Sequence, residues 1–386
     1  MNYFISFEDR LAEVQTHFRL GDLDLGRRRF LDLAYDCDNL YTLEKAVNCS
    51  LKHNNETDEG KAAFSRDALQ LLSEFHAGSY PSQAVEQELF RHDGIFKSYS
   101  SGNFSLQDVK VSLKPGEILG VVGENGNGKT TLLRCLAGQL EADLVPENFS
   151  YLPKTQSFYY TLKQFTGFIP QRIPRWYGKL RDNLHFAASC AGIYGEHNRV
   201  QVNFVLERFG LHRFADLTWN QISSGYRTRF EIARVILQRP RMLILDEPLA
   251  NLDINAQQTL LQDLRFLAKS PSHPMGVVLS SQQLFEVEKV ADQVLFIRKG
   301  KPVYNEVSES EAESNAVVTL ELETTADREQ LETALSDGLQ SLKYTGGLYI
   351  IETAKSADET LIQLVNQKIP VRYFRDISHS TKRFFN

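Results

Sequence analysis

The sequence predicts an α/β fold with an all-helical segment before it and an α+β segment after it. Three observations carry this. Residues 91–302 alternate strand, turn and helix, the mark of a largely parallel sheet. Residues 1–90 read as helix, and residues 303–386 read β-α-β-β-α-β. The 386-residue chain therefore divides into three domains, 1–90, 91–302 and 303–386, in keeping with roughly 100–200 residues per domain.

In the first segment Leu11, Val14 and Phe18 recur at helical spacing. Residues 22–36 form a second helix with Phe30, Leu31 and Ala34 available for burial. Residues 61–77 form a third, with Ala68, Leu71, Leu72 and Phe75 on one side, ended by Gly78-Ser79-Tyr80-Pro81. Arg27, Arg28 and Arg29 read as a solvated helix face. No chemistry is visible in these helices, which read as a packing or docking appendage.

The last segment places strands at 317–323, 342–345, 348–353 and 371–374, and helices at 327–335 and 359–366. Gly346-Gly347 supplies the hairpin turn. This order is the ferredoxin-like split βαβ pattern, and residues 380–385 add a final helical turn.

Composition narrows the function. Hydrophobic residues are 42% and charged residues 24%, which excludes wholesale disorder. Mean hydropathy is −0.32, and no stretch approaches the roughly 20 apolar residues of a membrane span. No basic start with an apolar run marks a signal peptide. Cys37, Cys49, Cys135 and Cys190 show neither a CxxC pair nor a disulfide framework, which argues against a zinc site and fits a reducing compartment. None of the nine histidines falls in an HExxH motif. Net charge runs −7 over 1–90, +7 over 91–302 and −6 over 303–386, so a basic middle suited to anions lies between acidic flanks.

The chemistry is concentrated in that middle. The apolar run 117–122 leads directly into Gly123-Glu124-Asn125-Gly126-Asn127-Gly128-Lys129-Thr130-Thr131, and then into a helical Leu132-Leu133. This is GxxxxGKT with a strand before and a helix after, the context that defines a P-loop NTPase. Glycines let backbone N–H groups curl around a phosphate chain, and the helix N-terminus adds partial positive charge. Lys129 supplies a full charge, and the Thr130 hydroxyl completes a Mg²⁺ shell. A second apolar run, Met242 to Leu245, ends in Asp246-Glu247. Two acids at the C-terminal end of a buried strand sit where α/β sheets bind ligands, Asp246 to hold Mg²⁺ and Glu247 to polarise a water.

The residues between these motifs resemble the ATP-binding cassette (ABC) ATPase family over about 93–302. Ile222-Ser223-Ser224-Gly225-Tyr226 stands where that family has LSGGQ. Phe168-Ile169-Pro170-Gln171 resembles the Q-loop, Leu249-Ala250-Asn251-Leu252-Asp253 the D-loop, and Tyr99 the adenine-stacking aromatic. The resemblance implies an ABC ATPase domain with a helical subdomain that binds ATP and Mg²⁺. It implies nucleotide contacts from Tyr99, Gly123, Asn125, Gly126, Gly128, Lys129, Thr130, Thr131, Ser223, Gly225 and Asp253. It implies metal contacts from Thr130, Gln171 and Asp246, and catalytic roles for Glu247, Gln171 and Gln282. Three departures stand out: Ser224 for the first signature glycine, Tyr226 for its Gln, and Gln282 for the switch histidine. A Gln donates a hydrogen bond but carries no charge, so slow hydrolysis is expected.

Residues 376–385 resemble the end of bacterial drug- and polysaccharide-exporter ATPases. The resemblance as a whole implies a cytoplasmic ATPase subunit, peripheral to the inner membrane. It would dimerise with a second copy or a paralogue and drive a separate polytopic membrane permease. The aromatic-rich stretch 158–177 around Gln171 is the expected permease contact. The alternative is a soluble ABC ATPase that moves a non-membrane partner through its N-terminal helices. No nucleic-acid partner is implied, because there is one cassette and no long heptad insertion.

Overall fold

The first helix begins where the sequence supplies a cap. Ser6 Oγ accepts the Asp9 N–H at 3.0 Å while Asp9 accepts the Ser6 N–H at 3.2 Å, and α1 (Phe7–Leu20) stops at Gly21 in the left-handed region (φ 81). Asp22, Asn39 and Thr57 cap α2 (Leu23–Asp36), α3 (Leu40–Lys52) and α4 (Asp58–Leu71), each side chain accepting one backbone N–H of the first turn. In this computed structural model the described residues are 6–53, 57–78, 88–99, 104–153, 157–250, 252–303, 318–345 and 347–377. The sequence reading did not pick out α3, although Leu43, Ala46, Val47 and Ser50 form its buried stripe. The third expected helix begins earlier than residue 61 and ends at Leu71, followed by one 3-10 turn.

Two compact units result, Met1–Val303 and Tyr304–Asn386. The N-terminal helices are thus not the separate domain that was expected for 1–90. Phe30, Leu33 and Ala34 of α2 belong to one continuous core with Phe204 and Val205 of the cassette, and Tyr35 stacks on Phe204 at 4.9 Å.

The cassette begins with an antiparallel pair, β1 (Phe90–Ser98) and β2 (Ser105–Leu113), and then β3 (Ile118–Val122) enters the phosphate loop before α5 (Lys129–Leu136). After α6 (Phe158–Phe165) and β4 (Thr166–Ile169) come the subdomain helices α7 (Leu180–Cys190), α8 (Gly195–Arg208) and α9 (Ser224–Ile236). The chain returns through β5 (Met242–Leu245), α10 (Ile254–Ala268), β6 (Gly276–Ser281), α11 (Leu284–Glu288), β7 (Gln293–Arg298) and β8 (Lys301–Pro302). The sheet order is β4-β5-β6-β3-β7-β8, parallel except at β8. Strands β3, β5 and β6 are buried along their whole length, as central strands of a parallel sheet covered on both faces are.

The arginine triplet departs from expectation. Arg28 is half-buried, but Arg27 and Arg29 are buried rather than solvated. A buried cation must find carboxylates, and the helices supply them. Arg208 of α8 bonds Asp32 of α2 at 2.6 Å and meets Asp263 of α10 at 3.1 Å, while Arg29 lies 3.2 Å from Asp32 and 3.4 Å from Asp263. Arg10 adds Asp36 at 2.6 Å and the Phe266 carbonyl at 2.5 Å. This network ties α1 and α2 to the cassette, which is why they do not stand apart.

The second unit contains β9 (Val318–Thr324), α12 (Arg328–Ala334), β10 (Leu339–Thr345), β11 (Leu348–Thr353), α13 (Ala357–Asn366) and β12 (Val371–Asp376). Its sheet is antiparallel in the order β10-β11-β9-β12, over a core that includes Leu320, Leu322, Leu331, Ile351 and Leu364. The helical turn expected at 380–385 lies outside the described residues.

Candidate nucleotide-binding site

Strand β3 delivers the chain to Gly123, and the loop closes where α5 begins at Lys129. Gly128 has φ 106, and a Cβ there would stand 2.6 Å from the Phe104 ring. A Cβ on Gly123 would stand 2.3 Å from the Ile297 carbonyl oxygen of β7. Only glycine fits either place. Asn127 fixes the loop from outside, accepting the Lys299 N–H at 2.8 Å on its side chain and the Gly300 N–H at 3.0 Å on its carbonyl. Neither Phe104 nor Asn127 was predicted to matter.

Lys129 is buried. Its Nζ donates to the carbonyl of Gly123 at 2.6 Å and lies 3.2 Å from Glu247 Oε1. The Thr130 hydroxyl donates to Asp246 Oδ2 at 2.9 Å, and Ser280 Oγ donates to Asp246 Oδ1 at 2.8 Å while accepting the Glu247 N–H at 2.9 Å. Ser280, on β6, is a site residue that the sequence reading passed over. Only the neighbouring of β5 and β6 reveals its role. Glu247 itself has φ 50, a strained backbone for a non-glycine residue.

The expected residues fall into two groups. Gln171, exposed just beyond β4, lines a cleft of about 170 Å³ with Asp246, Glu247 and Ser224. The Asp246 N–H donates to the Ile169 carbonyl at 2.9 Å, which sets the two strand ends together. Gln282 is exposed at the end of β6, whose Ser281 pairs with Val122 at the entrance to the phosphate loop. The Tyr99 hydroxyl lies 3.4 Å from Thr131 Oγ1, and Asn125 and Gly126 are exposed.

Ser223, Gly225 and Asp253 instead line a separate cleft of about 180 Å³. Ser223 caps α9 with its side chain exposed and makes no cap hydrogen bond, while Asp253 caps α10 by accepting the Ala256 N–H at 2.9 Å. The departing Tyr226 is held in place: its ring centroid is 4.2 Å from that of Phe214, and its hydroxyl accepts from Arg213 at 2.9 Å.

The aromatic stretch divides too. Trp176 packs edge-on to Phe230 and donates to Glu231, whereas Tyr160 and Tyr177 are exposed.

These residues fit a nucleotide and a hard cation. Thr130 and Asp246 offer a hydroxyl and a carboxylate side by side, the oxygen donors Mg²⁺ prefers. The buried Glu247 Oε1 accepts no hydrogen bond among the described residues. Among those residues no cluster of three or more His, Cys, Asp and Glu that could hold a metal is present. No helix of the described residues is long and apolar enough to cross a membrane.

Comparison with known proteins agrees with this geometry. The family profile described as ABC transporter matches residues 106–250, from β2 to just past Glu247. The chain is 27% identical over 228 residues to the phosphonates import ATP-binding protein PhnC of Treponema denticola, covering 56% of this chain and 88% of that one. It is 30% identical over 215 residues to the zinc import ATP-binding protein ZnuC of Pseudomonas syringae, covering 56% and 75%. Among solved structures, cbiO1 from Clostridium perfringens, part of the ABC transporter complex cbiONQ, shares the fold with a TM-score of 0.51 at 23% identity, over 57% of this chain and 88% of that one. With its phosphate loop, paired acids and signature segment within the matched span and ordered along a parallel sheet, the chain belongs to the ABC transporter ATP-binding family.

Proposed function

We propose that this chain binds MgATP at the phosphate loop, hydrolyses it slowly, and couples the cycle to a separate membrane permease. The observation that carries the reading is the pair of contacts at the phosphate loop, Lys129 with Glu247 at 3.2 Å and Thr130 with Asp246 at 2.9 Å.

Lys129 exchanges its contacts with the Gly123 carbonyl and Glu247 for the β- and γ-phosphates of ATP. That frees the Glu247 carboxylate to accept a proton from an attacking water placed in line with the γ-phosphate. Thr130 and Asp246, with Gln171 across the same cleft, hold Mg²⁺, which neutralises charge on the phosphate oxygens. Tyr99 stacks on the base. Gln282 donates to the γ-phosphate without the charge a histidine could carry.

The exposed Ser223 and the adjacent Gly225 serve the nucleotide of a second ABC subunit, a copy or a paralogue, so that ATP joins the pair head to tail. Exposed Tyr160 and Tyr177 favour a permease contact beside Gln171, and this would hold the subunit at the cytoplasmic face of a membrane. The exporter reading rests on the C-terminal unit, which we read as ferredoxin-like, and on residues 376–385, most of which lie outside the described residues. PhnC and ZnuC are named import proteins, so we assign the direction of transport to the permease rather than to this chain. A free N-terminal docking arm, as the soluble alternative requires, gains no support from helices that share the cassette core.

Glu247→Gln tests the proposal. The full-length variant should bind MgATP, lose turnover and double in mass by light scattering when ATP is present. Hydrolysis at the wild-type rate would exclude Glu247 as the base.

A further inference from the structure

A second basic feature lies away from the phosphate loop. A cavity of about 660 Å³, larger than either cleft described above, opens between α2, the end of α8 and the start of α9. Arg27 and Arg28 line it from α2, Arg208 from α8, Arg213 from the following turn and Arg229 from α9. The acids on its wall are already engaged. Asp24 pairs with Lys61 at 2.8 Å, Asp263 is shared between Arg28 and Arg208 at 3.0 and 3.1 Å, and Glu207 accepts the Ser50 hydroxyl at 2.8 Å.

One of these cations is under-satisfied. Arg27 is only 7% exposed, yet its Nη1 finds just the carbonyl and hydroxyl of Ser50 at 3.3 Å, and its Nη2 has no hydrogen-bond partner among the described residues. The nearest carboxylate, Glu207, is 4.0 Å away, and burial pushes the Arg27 pKa down to about 10. An unpaired buried donor is costly, and Arg27 is one of five arginines that line the cavity.

We propose that this cavity is a binding site for a small phosphate-bearing anion, held by Arg27, Arg28, Arg213 and Arg229. The volume lies within the range of small-molecule pockets. The planar guanidinium fork matches phosphate oxygens in pairs. The far wall, Tyr226, Arg229 and Thr259, is shared with the cleft of Ser223 and Gly225, so an occupant touches the helix that carries the signature segment. The proposal does not depend on the function assigned to the phosphate loop.

Calorimetric titration of pyrophosphate into the full chain tests it, with Lys129→Ala as the background that disables the phosphate loop. Binding should persist in Lys129→Ala. It should weaken about tenfold or more when Arg213→Gln and Arg229→Gln are added, as expected for loss of charge-assisted hydrogen bonds. Thr259→Glu, which keeps every arginine and adds a carboxylate to the wall, should weaken it similarly and so guards against misfolding of the double arginine variant. Absence of pyrophosphate binding in Lys129→Ala would overturn the site. So would unchanged affinity in both cavity variants. Binding to phosphatidic-acid vesicles without any binding of pyrophosphate would overturn the small-molecule assignment.

Discussion

Ser280 holds Asp246 and Glu247 in register. Its hydroxyl donates to Asp246 Oδ1 at 2.8 Å and accepts the backbone N–H of Glu247 at 2.9 Å, so one side chain on β6 sets both acids at the end of β5.

Ser280→Ala should therefore loosen the carboxylate expected to hold Mg²⁺. Loss of such a supporting hydrogen bond costs about tenfold in metal affinity. Titration of a fluorescent ATP analogue with Mg²⁺ and with EDTA reads it: Mg²⁺-dependent binding should weaken and Mg²⁺-free binding should not. Equal Mg²⁺ dependence in variant and wild type would show that Thr130 alone positions Asp246.

Gln282→His restores the residue that the family resemblance implies at the end of β6. The position is exposed, so an imidazole meets no steric barrier in the isolated chain. Turnover at saturating MgATP should rise about tenfold, equivalent to about 1.4 kcal/mol of barrier. A flat or lower steady-state rate would mean that Ser224 or Tyr226 compensates for Gln282.

Arg208→Met should unfold the Met1–Val303 unit readily. It leaves Asp32 without its 2.6 Å partner and takes one cation from Asp263. Breaking a buried ion pair from one side costs about 3–5 kcal/mol. Urea unfolding followed by tryptophan fluorescence measures the loss. A loss below about 1 kcal/mol, within the range of a surface pair, would show that the network does not stabilise the helix junction.

His273 makes stability fall on acidification. Burial, with Arg239 and Arg241 nearby outweighing Asp38, pushes its pKa from 6.5 down to about 4. Between these values the unfolded chain binds a proton that the folded chain refuses. Stability from this group is therefore full above about pH 6.5 and is lost as pH falls towards 4, by about 2–3 kcal/mol. The difference between the wild-type and His273→Gln stability curves across that window isolates the effect. Parallel curves would place the titration elsewhere.

The sequence by itself determined the local chemistry. A glycine-rich turn between an apolar run and a helix needs no partner to be legible, because the residues that shape the loop are consecutive. The same holds for Asp246-Glu247 at a strand end and for Ser223-Gly225 at a helix start. Only the tertiary structure decided what depends on strand order and helix packing. Ser280 became a site residue because β6 lies between β5 and β3. Phe104 and Asn127 became loop supports because the β1–β2 pair and the β7–β8 turn close over the glycines. Arg27 and Arg29 looked like surface charges, since local sequence shows a charge but not its counter-ion. Asp263 lies 234 residues beyond Arg29 in the sequence, and it took the packing of α2 against α8 and α10 to bury the cations and merge the helices with the cassette.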